Sequence, residues 1–435
     1  MSERFVVATN EVGGVLLPRT PTTVEQLGVG AGIVLDLALK TLFQYGQRRG
    51  KELAEQLCIN HNALFEVMVE ARNRKLCELM GSSASYETLW VYALSQAGRD
   101  HVARVMERDQ YFGAVPVSLE HSNEMVKRQS VTGRKVTLPD IRELFKDLVL
   151  GDDLIKQFGP ACNSGQSIFL YGHPGNGKTL LARQLSRLVD RPIVIPKAIE
   201  ADGQVIKLFD PGVHKVVSPS DFGIGDTDLR EFDTRWVLIE RPFVVVGGEL
   251  MMHHLDIAFD DKLKYYTAPL QMMANGGIFL IDDFGRQRVS PQEILNRWIV
   301  PLENRVDFFT LVTGRQIVVP FDVLLVLSTN LAPQDLVDEA FLRRIRFKIE
   351  VRNPTEAQFK EIFRRMCAAR GVEYNDAMIT YLINYHYFES GRELRSCHPR
   401  DLLDQMVELA SFEGAPLTLN SDLIDAACRT YFIES

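Results

Sequence analysis

An apolar, strand-like run, Ser167-Ile168-Phe169-Leu170-Tyr171, leads straight into Gly172-His173-Pro174-Gly175-Asn176-Gly177-Lys178-Thr179, and a helical pattern opens at Leu180. The segment fits G-x-x-x-x-G-K-S/T in the strand–loop–helix context that a P-loop requires. Its glycines let successive backbone N–H groups converge on phosphate oxygens where a side chain would block the approach. Lys178 supplies charge for the β- and γ-phosphates, and the Thr179 hydroxyl is placed to hold Mg²⁺. The helix that follows turns its positive end toward the same anion. ATP with Mg²⁺ is the expected ligand, gripped by residues Gly172 through Leu180. A glycine-rich strand–helix turn without a ligand is the bland alternative.

A second buried-looking strand, Ile278-Phe279-Leu280-Ile281, ends in Asp282-Asp283. A strand that delivers a carboxylate to the metal is the natural companion of a P-loop, which assigns Asp282 to Mg²⁺ through water. Asp283 is the candidate for polarising the attacking water. Alone, two aspartates after a strand are more often a turn or cap. A third apolar run, Val323 to Ser328, ends at Thr329-Asn330.

From Asp140 to Phe347 helical and apolar strand patterns alternate, as in a parallel sheet covered on both faces. The strongest strands are Ser167–Tyr171, Pro192–Ile195, Gly277–Ile281 and Val323–Ser328. After Asn353-Pro354 the pattern is wholly helical: Glu356–Arg370, Asp376–Tyr387, Pro399–Phe412 and Ser421–Phe432. Before the sheet, helices over Leu35–Phe43, Lys51–Leu57 and Ala63–Lys75 precede two short strands, Leu76–Leu79 and Leu89–Leu94, joined by a polar tip. Ser95 then caps a helix to Met106. The expected division is a terminal segment 1–28, an α+β module 29–110, a connector 111–138, an α/β domain 139–352 with an inserted β element at about 201–250, and an all-α domain 353–435.

These motifs together resemble the AAA+ ATPases over Asp140 to Ser435, about two thirds of the chain. The resemblance implies a P-loop NTPase sheet with a helical lid, ATP hydrolysis, and an oligomeric ring, normally hexameric. Asn330 matches the position called sensor 1, which orients water or touches the γ-phosphate; a simple turn residue is the alternative. Arg344, with Arg343 in reserve, matches the arginine finger that enters a neighbour's site. Arginine suits that work because it stays protonated and grips phosphate at two points. The alternative is a surface cluster neutralising Asp338 and Glu339. Arg400 matches sensor 2 at the first turn of a lid helix, where the helix dipole disfavours a cation and Asp401 is the available partner. Where relatives carry Glu after the metal-binding Asp, this chain carries Asp283, one methylene shorter, so a slower or differently positioned hydrolysis is implied.

Within that family, Leu270 to Gly277 and a hairpin expected between Asp307 and Pro320 around Thr313-Gly314-Arg315 resemble the MoxR proteins, magnesium-chelatase ATPase subunits and enhancer-binding activators. The module 29–110 resembles a winged helix-turn-helix. Three outputs follow: remodelling of a protein partner in a chaperone-like manner, DNA-dependent ATPase or regulatory action through the winged helix, or a nucleotide-gated scaffold with slow turnover. The helix carrying Glu66, Glu70, Arg72, Arg74 and Lys75 mixes acids with bases, which favours a protein partner, since DNA readers bias that face strongly positive.

A net charge of −8 excludes coating of nucleic acid or acidic membrane by bulk charge. No apolar run approaches the roughly 18 residues a bilayer span needs, so no membrane insertion is expected, and the start resembles no signal peptide. The six cysteines lack metal-ligand or disulfide spacing and read as reduced, which makes the cytoplasm the expected compartment. His253-His254 are adjacent and so face apart, poor co-ligands for a metal.

Overall fold

The computed structural model describes residues 7–80, 89–130, 135–188, 191–336, 342–414 and 416–432. Its centre is a five-stranded, all-parallel sheet in the order Phe243–Val246, Ile278–Ile281, Leu324–Thr329, Ile168–Tyr171, Phe347–Glu350. Side chains alternate between two cores along each strand, as the pleat dictates. Phe169, Phe279, Ile281, Leu325 and Leu327 face Trp298, Ile294 and Leu295 from the helices that follow the second motif. Ile168, Leu170, Leu280 and Val326 face Leu181, Leu185 and Phe158 from the helices beside the P-loop. Both faces are therefore covered, which explains why these strands read as unbroken apolar runs. The P-loop joins its strand to the helix Lys178–Leu185, and four C-terminal helices, Glu356–Ala369, Asp376–Ile383, His398–Glu413 and Ser421–Tyr431, pack around a core of their own. This is an α/β P-loop NTPase fold with an all-helical C-terminal region, as the sequence implies.

One strand assignment differs. Ile193–Pro196 does not enter the parallel sheet; it pairs antiparallel with Trp236–Ile239 in a separate ribbon. The outer strand of the sheet is instead Phe243–Val246, downstream of Pro242. A short apolar run satisfies either environment equally well, so composition could not choose between them. A second sheet forms beside the first from Ala198–Ala201, Gln204–Lys207, Ala258–Phe259, Tyr266–Thr267 and Val117–Ser118. This second sheet thus draws on strands on both sides of residues 201–250. It also recruits the expected connector, whose helix Leu119–Arg128 follows Val117–Ser118 directly. The hairpin Val306–Thr310 with Gln316–Pro320 is present, paired from Val306↔Pro320 to Thr310↔Gln316.

Near the N-terminus, helices Ala31–Tyr45, Gly50–Leu57 and His61–Asn73 pack on a three-stranded antiparallel sheet, Arg48–Arg49, Val91–Leu94, Cys77–Met80, with Gln96–Met106 behind. Asn60 accepts from Asn62 N–H at 2.8 Å and Ser95 from Gly98 N–H at 3.0 Å, closing two helix starts. The polar tip at Gly81–Ser85 lies outside the described residues. Among the described residues no helix is long and apolar enough to cross a membrane.

A buried arginine, held by a neighbouring aspartate, ties the segment around residue 235 to residues 27 and 116. Asp233 and Arg235 are each 2% exposed and meet at 2.8 Å, and the Arg235 guanidinium also donates to the carbonyls of Leu27 (2.9 Å) and Pro116 (3.4 Å). Removing one partner strands a charge in the interior, which costs about 3–5 kcal/mol. Asp233→Ala is accordingly expected to lower the unfolding free energy by about that amount in a denaturant titration, with the double change Asp233→Ala/Arg235→Met milder because no charge is then left buried.

Candidate functional site

The three middle strands run in one direction, so their C-terminal ends deliver the three motifs to one edge of the sheet. Gly172 leaves the P-loop strand at φ 135°, where a Cβ would stand 2.3 Å from the Val351 carbonyl oxygen. Gly175 has φ 80°, and a Cβ there would meet Cys397 Sγ at 2.6 Å. Only glycine fits either position, since each combines a left-handed backbone with a close neighbour. Beside the loop lies a cavity of about 560 Å³, bounded by P-loop residues 174–181, Asp282, Asp283, Ser328 and Asn330, and closed by Leu148, Ile362, Arg365 and Arg400.

Lys178 is 93% removed from solvent and its ammonium donates to the carbonyls of Gly172 (2.8 Å) and His173 (3.0 Å) and to Asn330 Oδ1 (2.6 Å). Burial pulls its pKa below the ordinary lysine value, while Asp282 and Asp283 push it back up. The Asn330 amide donates in turn to Asp283 Oδ1 at 2.8 Å. A continuous chain, ammonium to amide to carboxylate, therefore links the three motifs. Thr179 donates its hydroxyl proton to Asp282 Oδ2 at 2.8 Å. A hydroxyl and a carboxylate in contact form an all-oxygen donor set that suits a hard cation such as Mg²⁺. The glycine cradle, the ammonium and this pair fit a magnesium triphosphate.

Asp283 is one of the few residues other than glycine with positive φ, at 50°. Aspartate enters that region far more readily than longer acids, because its short side chain bonds locally. The preference supplies a conformational reason for Asp rather than Glu at this position. The carboxylate is exposed at the cavity.

The remaining candidates lie at the periphery. Arg400 borders the cavity and pairs with Asp401 at 2.8 Å, the contact that offsets its place in the first turn of His398–Glu413. Arg344 bonds Glu303 at 2.7 Å, and Arg343 is exposed; Asp338 and Glu339 lie outside the described residues. The His253 and His254 rings stand 4.1 Å apart, with His254 Nδ1 accepting from Met251 N–H. Among the described residues no group of His, Cys, Asp and Glu is arranged to hold a metal without a nucleotide.

Sequence reasoning did not find the contacts between the P-loop and the lid. Asn176, 4% exposed, donates to Asn353 Oδ1 at 2.8 Å and accepts from Ser396 N–H at 3.2 Å. Cys397 N–H donates to the Gly175 carbonyl at 2.9 Å. Arg395 bonds Asn353 and also pairs with Glu393 at 2.7 Å. Close by, burial and then Arg395 lower the His398 pKa to about 4, and His398 Nδ1 shares a hydrogen bond with the Tyr387 hydroxyl at 2.9 Å. The C-terminal region is thus tied to the tip of the loop at Gly175 and Asn176. Only Asn353-Pro354, legible as a boundary, hinted at it.

A family model described as Domain of unknown function (DUF8689) matches residues 355–430, the C-terminal helices. No curated protein matches the chain. Among solved structures, a RuvB mutant from Thermotoga maritima is similar at 15% identity, covering 67% of this chain and 72% of that one with a TM-score of 0.40. The RuvB described as a Holliday junction branch migration motor from the same organism is similar at 16% identity, covering 76% and 74% with a TM-score of 0.35.

The loop-to-lid bonds have a direct readout. Losing one buried hydrogen bond costs about 1 kcal/mol. Asn176→Ala is expected to speed hydrogen exchange at the Ser396 amide by roughly 5- to 10-fold. The Cys397 amide, held by the Gly175 carbonyl, should keep most of its protection.

Proposed function

We propose that this chain is a Mg²⁺-dependent ATPase of the AAA+ class that works as a homo-oligomeric, hexameric ring and remodels or moves a protein partner. The observation that carries the reading is the single chain of bonds from Lys178 through Asn330 to Asp283, beside the Thr179–Asp282 pair. Residues Gly172 to Leu180 would hold the triphosphate, and Thr179 with Asp282 the metal. When bound, Mg²⁺ supplies positive charge that neutralises the phosphate oxygens.

The protein's own groups supply the rest. Lys178 and the loop amides bind phosphate. Asn330 fixes one oxygen of Asp283, and the other oxygen takes a proton from the attacking water. Arg365 and Arg400 of the lid exclude bulk solvent from the cavity, with Arg400 sensing the γ-phosphate. Arg344, held by Glu303 until a neighbour docks, enters the adjacent site; Arg343 is its reserve.

We assign the module 29–110 to a winged-helix-like fold that binds protein. On its helix His61–Asn73 the Arg72 guanidinium stacks over Trp90 at 5.7 Å, Arg74 pairs with Glu70 at 2.7 Å, and Glu66 accepts from Val24 N–H at 3.2 Å. Arg72 and Arg74 are engaged at home, whereas DNA binding draws its strength from bases free to displace counterions. The inserted β element and the hairpin Val306–Pro320 are the parts that would move against the partner, in the manner of the MoxR-like branch.

A complementation assay tests the ring and the arginine together. Arg344→Ala and Asp283→Asn are each expected to bind ATP yet lose turnover by at least about 100-fold, and mixing the two should restore phosphate release in proportion to shared interfaces. A mixture as inactive as its parts would remove the arginine from the neighbouring site. Stimulation of the wild-type rate by duplex DNA at low salt would reverse the choice of partner.

A further inference from the structure

We infer that Gln287 is a positioning residue for the hydrolytic step, holding Asp283 in the left-handed conformation that aims its carboxylate at Asn330. This rests on the reading of Asp283 as the group that activates water. The strand Ile278–Ile281 ends just before Asp282, and the chain reverses through residues 282–285. Because Asp283 has φ 50°, the carbonyls of Asp282 and Asp283 converge instead of diverging as they would in an extended strand. One side-chain amide meets both. Gln287 Nε2 donates to the Asp282 carbonyl at 2.9 Å and to the Asp283 carbonyl at 3.1 Å, while Gln287 Oε1 accepts from Gly285 N–H at 2.8 Å.

All three bonds close on the same four-residue turn, so the side chain acts as a brace for it. A left-handed aspartate costs on the order of 1–2 kcal/mol and persists only where its surroundings over-determine it. Other bonds also anchor the turn: Asp282 N–H to the Val246 carbonyl at 2.8 Å, Phe284 N–H to the Ser328 carbonyl at 2.7 Å, Arg286 N–H to the Asp283 carbonyl at 3.0 Å, the Thr329 hydroxyl to the Phe284 carbonyl at 2.7 Å, and Asp283 N–H to Asp282 Oδ1 at 3.2 Å. None of them reaches the Asp282 carbonyl. Without the Gln287 amide, nothing else among the described residues donates to both convergent carbonyls, and Asp283 is released toward negative φ. Its carboxylate then swings away from Asn330, although Asn330 still holds Lys178.

Gln287 does not border the cavity. It is therefore separable from nucleotide binding, which depends on the P-loop, Lys178 and Thr179. Loss of the brace should appear in the chemical step alone.

The test uses the full chain with Gln287→Ala and with Gln287→Glu, which keeps the length and the acceptor but loses both donations. Expected for both are Mg-ATP affinity within about 2-fold of wild type, a melting temperature unchanged, and kcat lower by roughly 10- to 100-fold. Hydrogen exchange at the Gly285 and Arg286 amides should accelerate in Gln287→Ala. A kcat retained in both variants, or an affinity that falls in step with kcat, overturns the inference. If the wild-type protein itself releases no phosphate, it is the ATPase reading that fails. In that case the exchange rates still decide whether Gln287 braces the turn, since unchanged exchange refutes the brace without reference to turnover.

Discussion

Three neighbouring strands that run the same way determine everything at this site. Since Ile168–Tyr171, Leu324–Thr329 and Ile278–Ile281 are adjacent and parallel, their C-terminal ends open on one edge, and residues 152 positions apart come within 2.6 Å as Lys178 and Asn330. An antiparallel neighbour would have sent one motif to the opposite edge. The price of a parallel sheet is that both faces must be covered, which the two flanking layers of helices accomplish. Phosphate chemistry then needs no flexible approach by distant loops; the sheet holds ammonium, amide and carboxylate in a row.

What could be read from the sequence follows from how narrowly physics restricts each feature. The P-loop was legible because phosphate binding needs glycine at fixed places, and the two tightest, Gly172 and Gly175, prove to have backbone or sulfur where a Cβ would stand. Ile278–Ile281 and Leu324–Leu327 were legible because strands buried on both faces are built mainly from apolar residues. Ile193–Pro196 was misplaced for the same reason: an apolar run of four residues suits a two-stranded ribbon as well as a parallel sheet. The true outer strand, Phe243–Val246, was concealed in a longer apolar run broken only at Glu240-Arg241-Pro242. Gln287 and Arg395 left no trace, because polar residues that brace a turn or tie two segments together obey no spacing rule.

The bonds between the loop and the lid give the fold a mechanical logic. Ser396 and Cys397 are bonded to Asn176 and to the Gly175 carbonyl, which ties the tip of the loop to the start of the helix His398–Glu413. On the other side of the sheet edge, the turn after Asp282 is held by Ser328 and Gln287.

Equilibrium binding of labelled ATP to the purified full-length protein, with magnesium and with the metal chelated, addresses the central claim most directly. The account requires saturable uptake that magnesium strengthens and that Lys178→Ala abolishes. No saturable uptake, or equal uptake by Lys178→Ala, would contradict it.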